Sequence, residues 1–121
     1  MKRVMLTAAL ALGLAAPAQA VMTLGEFLAK ANKLQARGAL AMFSSDLRPV
    51  MNEMKLVSAQ MKAEAEQRRI AGLPKRACPP EGTALPSKEL LSMLNGIPSA
   101  ERGISVKEGM VRVMAKRFPC R

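Results

Sequence analysis

The side chains able to do chemistry in this sequence are few, and the two cysteines come first. Cys78 and Cys120 are the only thiols, and no Cys-x-x-Cys joins them as a redox motif. None of the 121 residues is histidine. That removes a neutral-pH imidazole acid/base, a His-paired nucleophile and an ordinary zinc site. No serine lies in a Gly-x-Ser-x-Gly elbow or a Ser-x-x-Lys motif. Glu64 and Glu66 stand two apart in a predicted helix, which turns them about 160° from one another and prevents them from flanking one substrate. The other carboxylates are scattered, leaving no ligand set for a divalent cation, and no glycine-rich loop resembles a phosphate cradle. No catalytic residue, metal or cofactor is expected. The chain reads as a binding protein rather than an enzyme.

Charge is a stronger signal than catalysis. Nineteen Lys+Arg oppose nine Asp+Glu, a formal net charge of +10. Arg68-Arg69 and Lys116-Arg117 read as solvated helix ends, where cations also suit the helix dipole. Lys75 and Arg76 fall in a connection and read as contacts to an acidic protein surface. Nucleic acid is disfavoured because no Trp, no Tyr and only three Phe are available for bases to stack on. Of the ten methionines, Met51, Met54, Met61, Met110 and Met114 follow helical spacing. They read as core gap fillers rather than a thioether copper site.

Four helices position these groups, and the expected fold class is all-α, a small bundle of about four helices. Thr23-Leu24-Gly25-Glu26 is a capping box that opens the first helix, with Leu24, Phe27, Leu28, Ala31 and Leu34 inward and Gly38 at its end. The apolar stretch from Gly38 to Phe43 reads as a further helical turn. Ser44, Ser45 and Asp46 offer the start of a long second helix, for which Gly72 and Pro74 supply the stop. Its predicted core face is Leu47, Val50, Met51, Met54, Val57, Met61 and Ala65. A weaker stripe almost opposite, Leu56, Ala59, Ala63 and Ile70, is a candidate dimer face. Ser87 caps a third helix with Leu90, Leu91 and Leu94 on one face. Ser105-Val106-Lys107-Glu108 is a second capping box, opening a fourth helix with Val106, Met110, Val113 and Met114 inward.

The first residues read as an address. Met1-Lys2-Arg3 is a cationic start, an apolar run follows from Val4 to Ala16, and Ala18-Gln19-Ala20 is a small-residue cleavage site. The apolar run is shorter than the ~20 residues a membrane span needs. A signal peptide at 1–20, cleaved after Ala20, leaves one helical domain at 21–121 in the periplasm. Its charge is +8 once Lys2 and Arg3 are gone. In that oxidising compartment Cys78 and Cys120 are expected to pair, which constrains the unfolded chain by ~4 kcal/mol.

The segments Cys78-Pro79-Pro80-Glu81-Gly82, Ser87-Lys88-Glu89-Leu90-Leu91 and Arg117-Phe118-Pro119-Cys120 carry a family resemblance. Over about residues 74–121 the sequence resembles the Rap/Tai-type immunity proteins, small periplasmic helical proteins associated with type VI secretion. The bend of that pattern corresponds to Ile97-Pro98-Ser99-Ala100-Glu101-Arg102. The resemblance implies a protein partner, a secreted toxin neutralised by occlusion rather than by catalysis. The competing expectation is a periplasmic stress protein of the holdase type, and a lipid- or envelope-associated cationic adaptor is the third. With no histidine, the acid response of a holdase would have to come from carboxylates.

Overall fold

The computed structural model describes residues 22–121, and the signal-peptide reading of 1–20 lies outside the described residues. Among the described residues four α-helices form: α1 (Leu24–Arg37), α2 (Leu47–Ile70), α3 (Ser87–Asn95) and α4 (Val106–Arg117). A 3-10 segment, Gly38–Phe43, links α1 to α2, and a shorter one, Ser99–Glu101, precedes α4. Among the described residues there is no strand, only an isolated antiparallel bridge between Thr23 and Ser105. The expected all-α bundle is what the chain builds. Helix α1 packs against the other three, and α2 packs against α4.

Local sequence accounts for the start of α1. The Glu26 N–H donates to Thr23 Oγ1 at 3.2 Å and the Thr23 N–H donates to Glu26 Oε2 at 3.3 Å, so the capping box closes in both directions. Two more N–H groups at this end find partners far along the chain. Leu24 donates to the Ile104 carbonyl at 2.8 Å and Gly25 to the Arg102 carbonyl at 2.9 Å. The first turn of α1 is therefore tied to the segment that leads into α4. The predicted inner face, Leu24, Phe27, Leu28, Ala31 and Leu34, is buried throughout.

Helix α2 shows how polar residues rotate a packed face. Val50 and Val57 are buried as expected, and Leu47, Met54 and Met61 pack against the core from half-buried positions. Met51 and Ala65, both expected inward, are exposed. The face has turned toward Glu53, which is 7% exposed, and toward Glu64, which is engaged by α4. Hydrophobic patterning cannot anticipate a face that contains two carboxylates. The helix ends as glycine permits: Gly72 adopts φ +70°, Gly72 N–H donates to the Arg69 carbonyl and Leu73 N–H to the Arg68 carbonyl. That is the Schellman pattern.

Helix α3 starts one residue earlier than a serine cap would place it. Ser87 is its first helical residue, and Pro86 is the cap without a side-chain hydrogen bond. Pro86 already has the extended backbone a cap needs, and its carbonyl accepts from the Leu90 N–H at 3.0 Å. Leu94 is buried and Leu90 and Leu91 are half-buried. At the other end, the Arg102 guanidinium donates to the carbonyls of Ile97 and Asn95, both at 2.9 Å. These bonds satisfy an otherwise open helix terminus. The Asn32 and Asn95 amides exchange hydrogen bonds at 2.9 Å, tying α1 to the end of α3.

Helix α4 buries Val106, Met110 and Val113 as expected, with Met114 half-buried, and also Val111 on another side. The Cys78–Cys120 disulfide joins the connection before α3 to the end of the chain, with Cα atoms 5.0 Å apart. Beside it the Cys78 N–H donates to the Phe118 carbonyl at 2.9 Å. The bridge thus brackets α3 and α4 as a stapled unit.

Gly109 permits the close crossing of α1 and α4, because a Cβ there would lie 3.0 Å from Leu24 Cδ2 and 3.1 Å from Cδ1. Leu24 is completely buried and has nowhere to move. Gly109→Ala should therefore lower stability by about 1–2 kcal/mol, although alanine is the better helix former. A thermal melt checks this, and the variant should melt several degrees lower.

Glu53 lies on the packed face between Val50 and Val57, and its Oε1 meets no hydrogen-bond partner among the described residues. Burial pushes its carboxyl above the ordinary value. The neutral form is the one the fold favours, so this group's contribution to stability is present at low pH and is lost as pH rises through the raised value. Glu53→Gln should raise the melting temperature at pH 7 by a few degrees, corresponding to about 1 kcal/mol. The gain should shrink as pH falls toward the ordinary carboxylate range.

Candidate functional site: a basic cleft beside the disulfide

The last turns of α2 and the returning segment 72–79 enclose a cleft of about 760 Å³. Its geometry follows from the Schellman turn at Gly72 and from the disulfide. The chain must double back along α2 for Cys78 to reach Cys120, which sets cations of both segments around one opening. Lys62, Arg68, Arg69, Lys75 and Arg76 line it, with Glu64 and Glu66 as the carboxylates. Val111 and Met114 of α4 supply apolar lining.

These charges divide into those that brace the fold and those that face outward. Arg76 reaches two helices at once: its guanidinium meets Glu108 of α4 at 2.7 Å and Glu64 of α2 at 3.2 Å. Lys107 donates to the other oxygen of Glu64 at 3.0 Å. The Lys107 hydrogen bond, followed by that of Arg76, holds the Glu64 carboxyl below the usual carboxylate range. Arg76 does the same for Glu108, and in return its own guanidinium is pushed further up by Glu108. Arg69 pairs with Glu66, three residues before it on α2. Arg68 donates its Nε–H to the Pro74 carbonyl at 2.9 Å, and among the described residues no carboxylate pairs with it. Lys62 and Lys75 are exposed and likewise have no acidic partner among the described residues.

Glu108 also revises the second capping box. Ser105 caps α4 as expected, its hydroxyl accepting from the Glu108 N–H at 3.1 Å. The return bond, from the Ser105 N–H to the Glu108 carboxylate, is not made, because that carboxylate accepts from Arg76 instead. A two-pronged bond to a guanidinium outcompetes a single bond to a neutral N–H.

The residues singled out from sequence are thus separated by the fold. Cys78 and Cys120 meet in the disulfide beside the cleft. Lys75 stands exposed at its edge, whereas Arg76 turns inward as a brace. In the second stripe of α2, Ala59, Ala63 and Ile70 are exposed and Leu56 is half-buried. Sequence reasoning leaves Lys62 out and treats Arg68 only as a solvated helix end. The signal that finds them is the obligatory return of the Pro74–Pro80 segment along α2.

A second concavity, about 440 Å³, opens among α1, α2 and α3 and is almost wholly apolar. Met51 is 50% exposed because it stands at this groove, with Met54, Phe27, Leu34, Leu90 and Leu91 along it. Among the described residues no three His, Cys, Asp or Glu side chains gather to hold a metal ion, and no helix is long and apolar enough to cross a membrane. Compared with known proteins, the chain matches no family model, and no curated protein or solved structure matches it.

Replacing Arg76 by Met should remove the tie between α2 and α4 and cost about 1 kcal/mol at neutral pH, since the group is partly open to solvent. Glu64 and Glu108 are depressed, so their contribution is present above the ordinary carboxylate value and lost as pH falls through their lowered values. The melting temperatures of wild type and Arg76→Met should therefore converge as pH falls through those lowered values.

Proposed function

We propose that this protein is an exported, periplasmic binding protein of the immunity type, which holds a secreted toxin by surface occlusion. The observation that carries the reading is the cleft beside Cys78. Lys62, Arg68 and Lys75 keep their charges unpaired on walls that the disulfide and Arg76 hold in place. A preorganised cationic surface suits an acidic protein partner, because little ordering has to accompany association. The resemblance at 74–121 to Rap/Tai-type proteins points the same way. The exposed stripe at Ala59, Ala63 and Ile70 is proposed as a self-association face within the same protein.

The holdase reading has one observation in its favour. In acid Glu64 and Glu108 lose their charges while Arg76 keeps its own, so the brace is broken, which would loosen the stapled unit. Glu53 acts in the opposite direction, since protonation suits its buried position.

The test is protection. Cells making a secreted toxin encoded beside this protein should survive when the protein is exported with it. Lys62→Glu with Lys75→Glu should slow association with that toxin about tenfold or more while circular dichroism stays unchanged. Equal survival with and without the protein would refute the immunity reading. If acidified protein then also suppressed aggregation of an unrelated client, the holdase reading would take its place.

A further inference from the structure

The 3-10 segment between α1 and α2 inverts the usual order of burial. Within Gly38–Phe43 only Ala41 turns toward the core, while Leu40, Met42 and Phe43 are 66%, 77% and 85% exposed. This projection is built into the backbone. Gly38 has φ +56° and ψ −125°, a conformation that only glycine adopts without strain, and it turns the chain as α1 ends. At the far side the Ser44 N–H closes the segment on the Ala41 carbonyl at 3.0 Å. Three large apolar side chains are therefore held outward by a fixed turn.

Cations surround the projection. Lys33 and Arg37 precede it on the last turns of α1, and Arg48 follows it in the first turn of α2; all three are exposed. None of them has an acidic partner among the described residues. The one carboxylate between Gly38 and Val50, Asp46, is already engaged by Lys30 at 3.5 Å. A second copy of the chain is a poor occupant, because two such tips face to face would bring Arg37 and Arg48 of both copies together. The tip is also a protrusion, not a groove, so a protein partner would have to offer a matching apolar pocket ringed by carboxylates. A bilayer with acidic headgroups offers hydrocarbon beneath a layer of negative charge without any such match.

We propose that the 40–43 tip docks this protein peripherally on an anionic phospholipid surface. Leu40, Met42 and Phe43 enter the interfacial layer, and Lys33, Arg37 and Arg48 sit at the phosphates. The contact combines apolar insertion with basic charge, the pair of signals that stable peripheral binding requires. It is independent of the toxin-binding reading, because it uses the opposite end of α2 from the cleft.

The chain contains no tryptophan, so Phe43→Trp places a single reporter at the tip. In protein isolated as the cell processes it, the emission should shift to the blue on vesicles containing phosphatidylglycerol. Brominated lipid should quench it, and added salt should weaken the effect. Pure phosphatidylcholine vesicles should produce little shift. In vesicle sedimentation, Leu40→Ser with Phe43→Ser should reduce binding about tenfold or more. Arg37→Gln and Arg48→Gln should each reduce it roughly fivefold. All of these side chains are exposed, so helix content should be preserved.

Absence of a blue shift on phosphatidylglycerol overturns the proposal. So does sedimentation that the Ser variants leave unchanged, which would place the lipid contact on another part of the chain. A concentration-dependent shift without vesicles would assign the tip to a second copy. A shift in lipid-free extract but not on vesicles would assign it to a protein. Either result also overturns the proposal.

Discussion

Close contact between the beginning of α1 and the beginning of α4 sets the geometry of the whole bundle. The N–H groups of Leu24 and Gly25 lie in the first turn of α1 and have no partner within the helix, and the Ile104 and Arg102 carbonyls accept from them. The side chain of Leu24, completely buried, rests on the bare backbone of Gly109. The isolated bridge between Thr23 and Ser105 places the caps of both helices side by side. From this junction α1 runs out over α2 and α3, and α4 runs toward the disulfide. The core residues Leu28, Val57, Leu94 and Val106 then fill the space between them.

The basic cleft lies at the far end of α4 and depends on a different kind of contact. Here charge, not apolar packing, joins the elements: Arg76 links the returning segment to both α2 and α4. A guanidinium is suited to this because its planar fork serves two carboxylates at once. By absorbing Glu64 and Glu108 into the scaffold, Arg76 also removes negative charge from the surroundings of Lys62 and Lys75. Stability and surface potential at the cleft are therefore set by the same residue.

Much of the fold was legible in the sequence where the determinants are local. The capping box at Thr23 and Glu26, the apolar period of α1 and the glycine stop of α2 all act within a few residues. The orientation of α2 was not legible, because Glu53 and Glu64 occupy a face that hydrophobic periodicity assigns to Met51 and Ala65. The second capping box was half legible: Ser105 acts locally, but the fate of Glu108 depends on Arg76, distant in the chain. Lys75 and Arg76 form one basic pair on paper, yet the turn at Gly72 sends their side chains to different tasks. Nor does an apolar run such as Leu40 to Phe43 reveal from composition alone that it faces water.

The Leu24–Gly109 contact also governs the order in which the chain can acquire its structure. Leu24 belongs to α1 and Gly109 to α4, so the side chain that anchors α1 has no complete pocket until α4 is present. Contacts so far apart in sequence are slow to form, because the intervening chain must first be brought together. A nascent α1 can become helical through its own cap, but it cannot be locked in place by its neighbours. The closing of the bundle is thereby deferred until α4 is in place. During that interval the apolar face of α1 is open to whatever else the cell offers it.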